Sequence, residues 1–355
     1  MALIEQLDIA GYRLFDQLRV SGLTRVNLVV GRNNAGKTAL LEAVEALVSE
    51  GSPFAFYRAS LERGETRRGV LKQDSEAIAI DVRRWFRNHL LKPGAHIRIA
   101  SGGSLPRVLE CKVLEVSSDQ GPPFVPGGFR LDTKREPRDR ASELQLPVQP
   151  NGLLGAPPVT MFLDFGPTLP RPVSFVTTRR QTVTELLPLW SRVVLTPQET
   201  DVAVALRAID PAIERVALSG LGDEAVGSVL LHGAVEPVPL GSLGEGTTRM
   251  LAIALSLATA KGGFLLVDEI DTGLHHTVMA DMWRLVIETA KRLDVQVFAT
   301  THSLDCVNAL GWLVETNVAL GAEVSLHRIE RGRDRTTPYT AAEIAAAARH
   351  HSELR

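Results

Sequence analysis

Leu28-Val29-Val30-Gly31-Arg32-Asn33-Asn34-Ala35-Gly36-Lys37-Thr38 is the stretch on which the fold turns. Three consecutive aliphatic residues read as a buried strand, and the chain passes from it straight into a glycine. Residues 31–38 fit G-x-x-x-x-G-K-[ST] in full. In that pattern the glycines let backbone amides curl round phosphate oxygens, and the following helix N-terminus adds partial positive charge. Lys37 is spaced to reach the β- and γ-oxygens of a nucleoside triphosphate, and Thr38 to offer its hydroxyl to Mg²⁺. No guanine-reading Asn-Lys-x-Asp occurs, so the expected ligands are ATP and Mg²⁺. The expected cradle is Gly31, Arg32, Asn33, Asn34, Ala35, Gly36, Lys37, Thr38 and Ala39. Behind it, from Lys37, Leu40, Leu41, Val44, Leu47 and Val48 recur at helical spacing.

A second apolar strand, Phe264-Leu265-Leu266-Val267, ends in Asp268-Glu269. Asp268 is expected to bind Mg²⁺ through water, and Glu269 to polarise the attacking water as general base. A positioned base contributes on the order of 10²–10⁴ in rate. A third strand over 295–300 delivers Thr301-His302-Ser303. The C-terminal edge of an open α/β sheet is its ligand side, so His302 is placed to sense the γ-phosphate or hold the water. Lys37, Glu269 and His302 are thus the candidate catalytic residues, with Thr38 and Asp268 as metal holders.

Outward from these motifs the pattern is uneven. Short apolar runs with turn signals occupy the first 30 residues, and 76–91 reads as a helix anchored by Trp85, Phe86, Leu90 and Leu91. From about 95 to 172 Gly and Pro are dense. β-like pieces at 107–116 and 159–165 flank a charge run at 134–140, which predicts an antiparallel β lobe with long loops. Periodicity returns with a strand at 173–176, helices near 185–193 and 199–209, and a glycine-punctuated turn at 240–246. A helix carrying Leu251, Leu255 and Ala258 follows, and beyond the strand at 264–267 come a helix at 278–291 and an Ala-rich helix at 341–354. Strand–helix alternation at both ends predicts an α/β P-loop fold with a mostly parallel sheet plus the antiparallel lobe. The expected division is a core of 1–94 and 173–310, an inserted lobe at 95–172, and a C-terminal strand and helix in 311–355, all in one head. No sustained heptad predicts a coiled-coil arm.

The chain has 355 residues, 45% hydrophobic and 23% charged, enough for one large domain or two medium ones. With a net charge of −2 the whole molecule does not attract nucleic acid, so any such contact needs a local basic surface. Arg58, Arg63, Arg67, Arg68, Lys72, Arg83, Arg84, Arg87, Arg179 and Arg180 could form one, but Glu62, Glu65, Asp74, Glu76 and Asp81 are interspersed. Nucleic acid is therefore a candidate partner only, against the reading of a solvated charged face. Cys111 and Cys306 are too few for a disulfide framework or thiolate zinc site, and His275-His276 lacks carboxylates at metal-site spacing. No leader is expected, and no apolar run approaches the roughly 20 residues that span a bilayer. A cytoplasmic protein without membrane contact is the expectation.

The order of phosphate loop, carboxylates and histidine resembles the ABC ATPase superfamily, and within it the head domains of RecF, SMC proteins and OLD-type (overcoming lysogenization defect) ATPases. Ile9-Ala10-Gly11-Tyr12-Arg13-Leu14-Phe15 is similar to the family's opening hairpin, whose Arg approaches the phosphates, which implies that role for Arg13. The stretch Asp268-Glu269-Ile270-Asp271-Thr272-Gly273-Leu274-His275 resembles the Walker B and D-loop of the RecF/OLD branch. Ala299-Thr300-Thr301-His302-Ser303 resembles its switch-histidine segment. The resemblance covers about 1–60 and 173–310. Leu243-Gly244-Glu245-Gly246-Thr247 stands where the family carries Leu-Ser-x-Gly, with glycine in place of the serine and Ser242 or Thr247 as substitutes. By resemblance, Ser242, Gly244, Gly246 and Thr247 would touch the γ-phosphate held by an opposite subunit, so that two heads sandwich two ATP. The Q-loop glutamine stays open among Gln73, Gln181 and Gln198.

OLD-type proteins continue into a Toprim nuclease, whereas about 45 residues follow Leu310 here, so an effector or nuclease partner acting in trans is expected. The resemblance implies an ATP-hydrolysing switch that dimerises around ATP and gates such an effector in DNA maintenance or antiviral defence. The alternatives are an ATPase subunit of a membrane transporter and a low-turnover nucleotide-binding scaffold. The missing Leu-Ser-Gly-Gly counts against the first, and Glu269 with His302 against the second.

Overall fold

The structure is a computed structural model, and it describes residues 2–50, 52–68, 78–120, 124–136, 143–154, 171–220, 225–350 and 352–354. β1 (Gln6–Tyr12) and β2 (Phe15–Ser21) form an antiparallel hairpin. β3 (Val26–Val30) then runs into the phosphate loop and α1 (Lys37–Val48). After α2 (Pro53–Glu62) come β4 (Thr66–Arg68) and β5 (Ile78–Asp81). The helix expected at 76–91 does not form. Residues 76 and 77 lie outside the described residues, 78–81 is strand, and Val82–Trp85 and Arg87–His89 are two short 3-10 turns. The Asp81 carboxylate caps the first turn by accepting the Arg83 N–H at 3.2 Å. Asn88 and His89 then take left-handed φ angles of 59° and 57°, which an α-helix cannot continue through.

The strands β6 (His96–Gly102), β7 (Arg107–Glu115), β8 (Phe129–Glu136) and β9 (Glu143–Val148) follow, then the short β10 (Leu153–Leu154). Strands β6 to β9 pair antiparallel in succession, as expected of this stretch. β6 pairs antiparallel with β1, so one six-stranded sheet runs β2-β1-β6-β7-β8-β9. The β piece expected at 159–165 and residues 137–140 of the charge run lie outside the described residues.

The chain returns through β11 (Val173–Val176), α3 (Val183–Val193) and α4 (Gln198–Arg207). An antiparallel set, β12 (Ile213–Ser219), β13 (Val226–Leu231) and β14 (Val238–Pro239), leads to α5 (Glu245–Thr259). Next are β15 (Phe264–Val267), α6 (Met279–Leu293) and β16 (Gln296–Thr300). The described chain closes with α7 (Leu304–Thr316), α8 (Val318–Gly321), β17 (Val324–Arg328), β18 (Thr337–Tyr339) and α9 (Ala341–Arg349). α9 is shorter than the helix expected to 354.

The second large sheet has the order β11-β15-β16-β3-β17-β18, parallel except for β18 at its edge. β3 from the first third therefore lies between β16 and β17 from the last. β17, the strand expected in 311–355, is part of this sheet. Both faces are buried, because alternate side chains of a strand point to opposite sides. Leu28, Leu265 and Val297 enter one core, while Val29, Leu266 and Phe298 enter the other. Between the two large sheets lies α1, with every residue buried except Thr38. A helix enclosed in this way is apolar nearly all round.

Its two buried carboxylates need partners, and arginines supply them. Arg13 Nε lies 2.7 Å from Glu42 and Arg63 Nε also 2.7 Å from it, while Glu45 is paired with Arg58. Both cysteines are buried and free, and burial pushes the Cys111 thiol up to about 12. No described helix is long and apolar enough to cross a membrane.

Candidate functional site

The loop of residues 31–36 leaves the tip of β3 and is packed too closely for a side chain at either glycine. A Cβ at Gly31 (φ 151°) would stand 2.5 Å from the Ile329 carbonyl oxygen. At Gly36 (φ 111°) it would stand 2.6 Å from the Phe15 ring, so the β1–β2 turn rests on the loop. Lys37 Nζ donates to the Gly31 carbonyl at 3.0 Å and lies 3.6 Å from Glu269 Oε1. The Thr38 hydroxyl donates to Asp268 Oδ2 at 2.9 Å. Glu269 Oε2 accepts the His302 N–H at 3.0 Å and stands 2.7 Å from its Nδ1.

Three parallel strand tips therefore bring Lys37, Thr38, Asp268, Glu269 and His302 together. Beside them lies a cavity of about 790 Å³, lined in part by Asn33, Asn34, Lys37, Thr38 and Glu269. That is within the usual size of a small-molecule site. Arg32, Asn33 and Asn34 are exposed, whereas Ala35 and Ala39 are buried against the core.

The donors suit a nucleotide with its cation. Thr38 and Asp268 offer hard oxygens of the kind Mg²⁺ takes, and Mg²⁺ usually keeps waters and phosphate oxygens besides one or two carboxylates. Among the described residues there is no group of three or more His, Cys, Asp and Glu that could hold a metal ion. His275 and His276 stack with ring centroids 4.1 Å apart, and His275 Nδ1 lies 3.0 Å from the Thr277 hydroxyl.

Arg13 lines the cavity but is only 8% exposed. It is ion-paired to Glu42 and, at 2.8 Å, to Glu65, and one terminal nitrogen, Nη2, has no partner among the described residues. It is thus held by carboxylates at the cavity wall.

The segment expected to act in trans lies apart from this cavity, and none of its residues is among the described lining residues. Leu240–Leu243 is a 3-10 turn, and Gly244 (φ 86°) begins α5. Ser242 and Gly244 are exposed. Thr247 cannot replace the missing serine: it is fully buried, and its hydroxyl donates to the Leu243 carbonyl at 2.9 Å. Gly246 packs on the D-loop, where a Cβ would meet the Gly273 carbonyl oxygen at 2.8 Å. Gln181 and Gln198 are not among the described cavity residues, and Gln73 lies outside the described residues.

Most of the arginines considered for a basic surface have acidic partners. Arg83 and Arg84 face Asp81, Arg87 faces Asp16, and Arg179 faces Glu62 and Glu185, while Lys72 lies outside the described residues.

Three residues missed by sequence reasoning hold the carboxylate turn. Thr300 Oγ1 accepts the Glu269 N–H at 2.8 Å and donates to Asp268 Oδ1 at 2.7 Å. Thr301 donates to Asp271 Oδ1 at 2.6 Å. Arg249, from α5, donates to the carbonyls of Asp268 and Glu269 at 2.6 and 2.9 Å. Burial pulls its guanidinium pKa down, against the raising effect of Asp268, Asp271, Glu245 and Glu269. The threonines' adjacency to His302 was the available signal. Arg249 had none, because an arginine in a helix is ordinarily a solvated one.

Residues 205–307 match a family described as an AAA domain, a description that also names an AbiEii toxin and a Type IV TA system. An uncharacterized protein of Methanocaldococcus jannaschii is 35% identical over 68 residues, 19% of this chain and 60% of that protein. An ATP/GTP phosphatase of Helicobacter pylori is 20% identical over 351 residues, 88% of each chain. ATP-binding cassette sub-family A member 6 of Homo sapiens is 32% identical over 122 residues, 34% of this chain but 7% of that protein. Among solved structures, an SMC head bound to the C-winged helix domain of ScpA superposes with a TM-score of 0.52 at 13% identity. It covers 97% of this chain and 100% of that one. An SMC head with an extended coiled coil, bound to the C-terminal domain of ScpA derived from Pyrococcus furiosus, gives 0.51 at 11%, covering 99% and 100%. At these identities the likeness is one of fold. With the site's geometry and the AAA match over residues 205–307, it supports ATPase activity on a P-loop α/β fold.

Proposed function

We propose that this chain is an ATP-driven switch of the RecF/OLD-like kind, working in the cytoplasm as a single head. It pairs with a second copy around ATP and gates a partner effector in DNA maintenance or antiviral defence. The observation that carries the reading is that Lys37, Thr38 and Glu269 line one cavity, with Asp268 bonded to Thr38 and His302 to Glu269 behind them, while the exposed start of α5 is not among the described lining residues. A site divided in this way is completed by another molecule.

In the reaction, water attacks the γ-phosphorus and ADP leaves with the electron pair of the broken P–O bond. Lys37 neutralises charge on the β- and γ-oxygens, and Glu269 accepts the proton of the water. His302 holds Glu269 through Oε2, which leaves Oε1 facing the Lys37 side of the site. Thr38 and Asp268 would hold Mg²⁺, which supplies further neutralisation of phosphate charge. Positioning and charge stabilisation account for most of the catalysis in such transfers.

Support for the biological role comes from the AAA family's description, which names a toxin system, and from SMC heads solved with ScpA bound. Nucleic acid is the weaker proposal, given the paired arginines. An ATPase subunit of a membrane transporter is the second reading, kept beside the match to the human ATP-binding cassette sub-family A member 6. ATPase stimulation by duplex DNA rather than by membrane vesicles separates the two.

The test is Glu269→Gln. It is expected to bind ATP, to hydrolyse it at least about 10²-fold more slowly, and to elute as a dimer with Mg-ATP in size-exclusion chromatography. A monomer under those conditions overturns the dimer reading. Lys37→Ala is expected to lose ATP binding, and unchanged affinity there overturns the phosphate cradle.

A further inference from the structure

Arg249 lies one turn into α5 and is 6% exposed. A buried guanidinium normally meets a carboxylate head-on, because that pairing returns most of what desolvation costs. This one is directed at main chain instead. Nη1 donates to the Thr177 carbonyl at 2.5 Å, Nη2 to those of Asp268 and Glu269, and Nε has no partner among the described residues. The turn it grips is strained: Glu269 has φ 48°, left-handed for a residue with a side chain. Such a conformation persists only when its surroundings fix it. Here the Glu269 N–H is held by Thr300 and the two carbonyls by Arg249. The directions in which the Asp268 and Glu269 carboxylates leave the backbone thus depend on a side chain carried by α5.

The same helix is preceded by the exposed N-cap Gly244, and its second residue, Gly246, rests on the backbone of Gly273 four residues beyond Glu269. A shift of the first turn of α5 would reach the carboxylate turn at two points.

We propose that Arg249 is a positioning residue that couples the two halves of the site: engagement of the α5 N-terminus by a second head's nucleotide sets, through the Asp268 and Glu269 carbonyls, the aim of the carboxylates acting on this head's own ATP. The inference rests on the dimer reading above. It makes hydrolysis in each head responsive to its partner and leaves ATP capture by the phosphate loop alone.

The experiment compares Arg249→Lys and Arg249→Gln with the unaltered chain. It measures ATP dissociation constant, kcat, the Hill coefficient for ATP, and dimerisation in the Glu269→Gln background, with Tm recorded for each. Lysine keeps the charge but cannot span three carbonyls, and glutamine keeps two donors without charge. The expected result is a kcat lower by about 10-fold or more in both, with ATP affinity within about 3-fold, dimers retained, and the Hill coefficient falling toward unity. Retained kcat and Hill coefficient in either variant overturn the proposal. So does a parallel loss of kcat, affinity and Tm, which marks a merely structural role. Failure of the dimer reading itself is distinguishable, because the Glu269→Gln protein with Arg249 intact would then stay monomeric in Mg-ATP.

Discussion

Thr300 shows how much of a site can rest on one hydroxyl. Fully buried at the tip of β16, it accepts from the Glu269 amide and donates to the Asp268 carboxylate. Thr300→Val keeps the shape, leaves the Glu269 N–H without this acceptor and strips Asp268 Oδ1 of its donor, with Thr38 still on Oδ2. A buried polar group stripped of its partner costs about 1–3 kcal/mol, so urea unfolding is expected to show a loss of that order, together with a reduced ATPase rate. Thr300→Ser is expected to retain both, and equal loss in the two variants would refute this assignment. At this scale sequence reading located the groups that carry charge. Asp268, Glu269 and His302 each follow an apolar strand, a local pattern. The neutral groups that hold them, and the inward turn of Thr247, depend on which strands become neighbours and were not legible.

Elements show where periodicity misleads. Trp85, Phe86, Leu90 and Leu91 form two apolar pairs about one helical turn apart, yet the segment is strand and 3-10 turn, because Asp81 caps locally and Asn88 and His89 enter the left-handed region. Trp85 and Phe86 are buried instead by tertiary packing, as in the Trp85 ring stacked on Phe56 at 4.7 Å, while Leu90 is exposed. β1 supplies the prediction at this scale. Gly11 has φ 69°, and a Cβ there would stand 2.2 Å from the His96 carbonyl oxygen of β6. The close approach joins the opening hairpin to the rest of the antiparallel sheet. Gly11→Ala is expected to lose more than about 2 kcal/mol of stability through backbone strain and clash. Chemical denaturation measures it, and a loss below about 0.5 kcal/mol would show that the two strands can separate freely.

For the whole molecule, the seam between the first and last thirds of the chain carries a titratable group. His327 of β17 is fully buried beside β3. Its Nε2 lies 2.9 Å from the Ser325 hydroxyl, which in turn donates to Asn27, and its Nδ1 has no partner among the described residues. Burial lowers its pKa to about 4. The unfolded chain, near 6.5, then binds a proton that the folded one refuses. The stability tied to the neutral ring is complete above about pH 6.5 and falls as pH drops toward 4, by on the order of 3 kcal/mol. Denaturation midpoints at pH 7.5 and 5 are expected to differ more in the unaltered protein than in His327→Gln. An equal acid sensitivity would exclude His327 as the cause.

The sequence by itself determined what depends on near neighbours: a strand running into a glycine-rich loop and a helix, carboxylates and a histidine at strand ends, and buried strands marked by unbroken apolar runs. Those are steric and electrostatic properties of a few consecutive residues. Only the tertiary structure decided that β6 joins β1, that β17 lies beside β3, that Thr38 meets Asp268 across 230 residues of chain, and that Arg249 grips the carboxylate turn. A strand's alternation states which faces it buries and not which strand it will pair with. That choice is made by the shape of the whole core, where every element competes for the same partners.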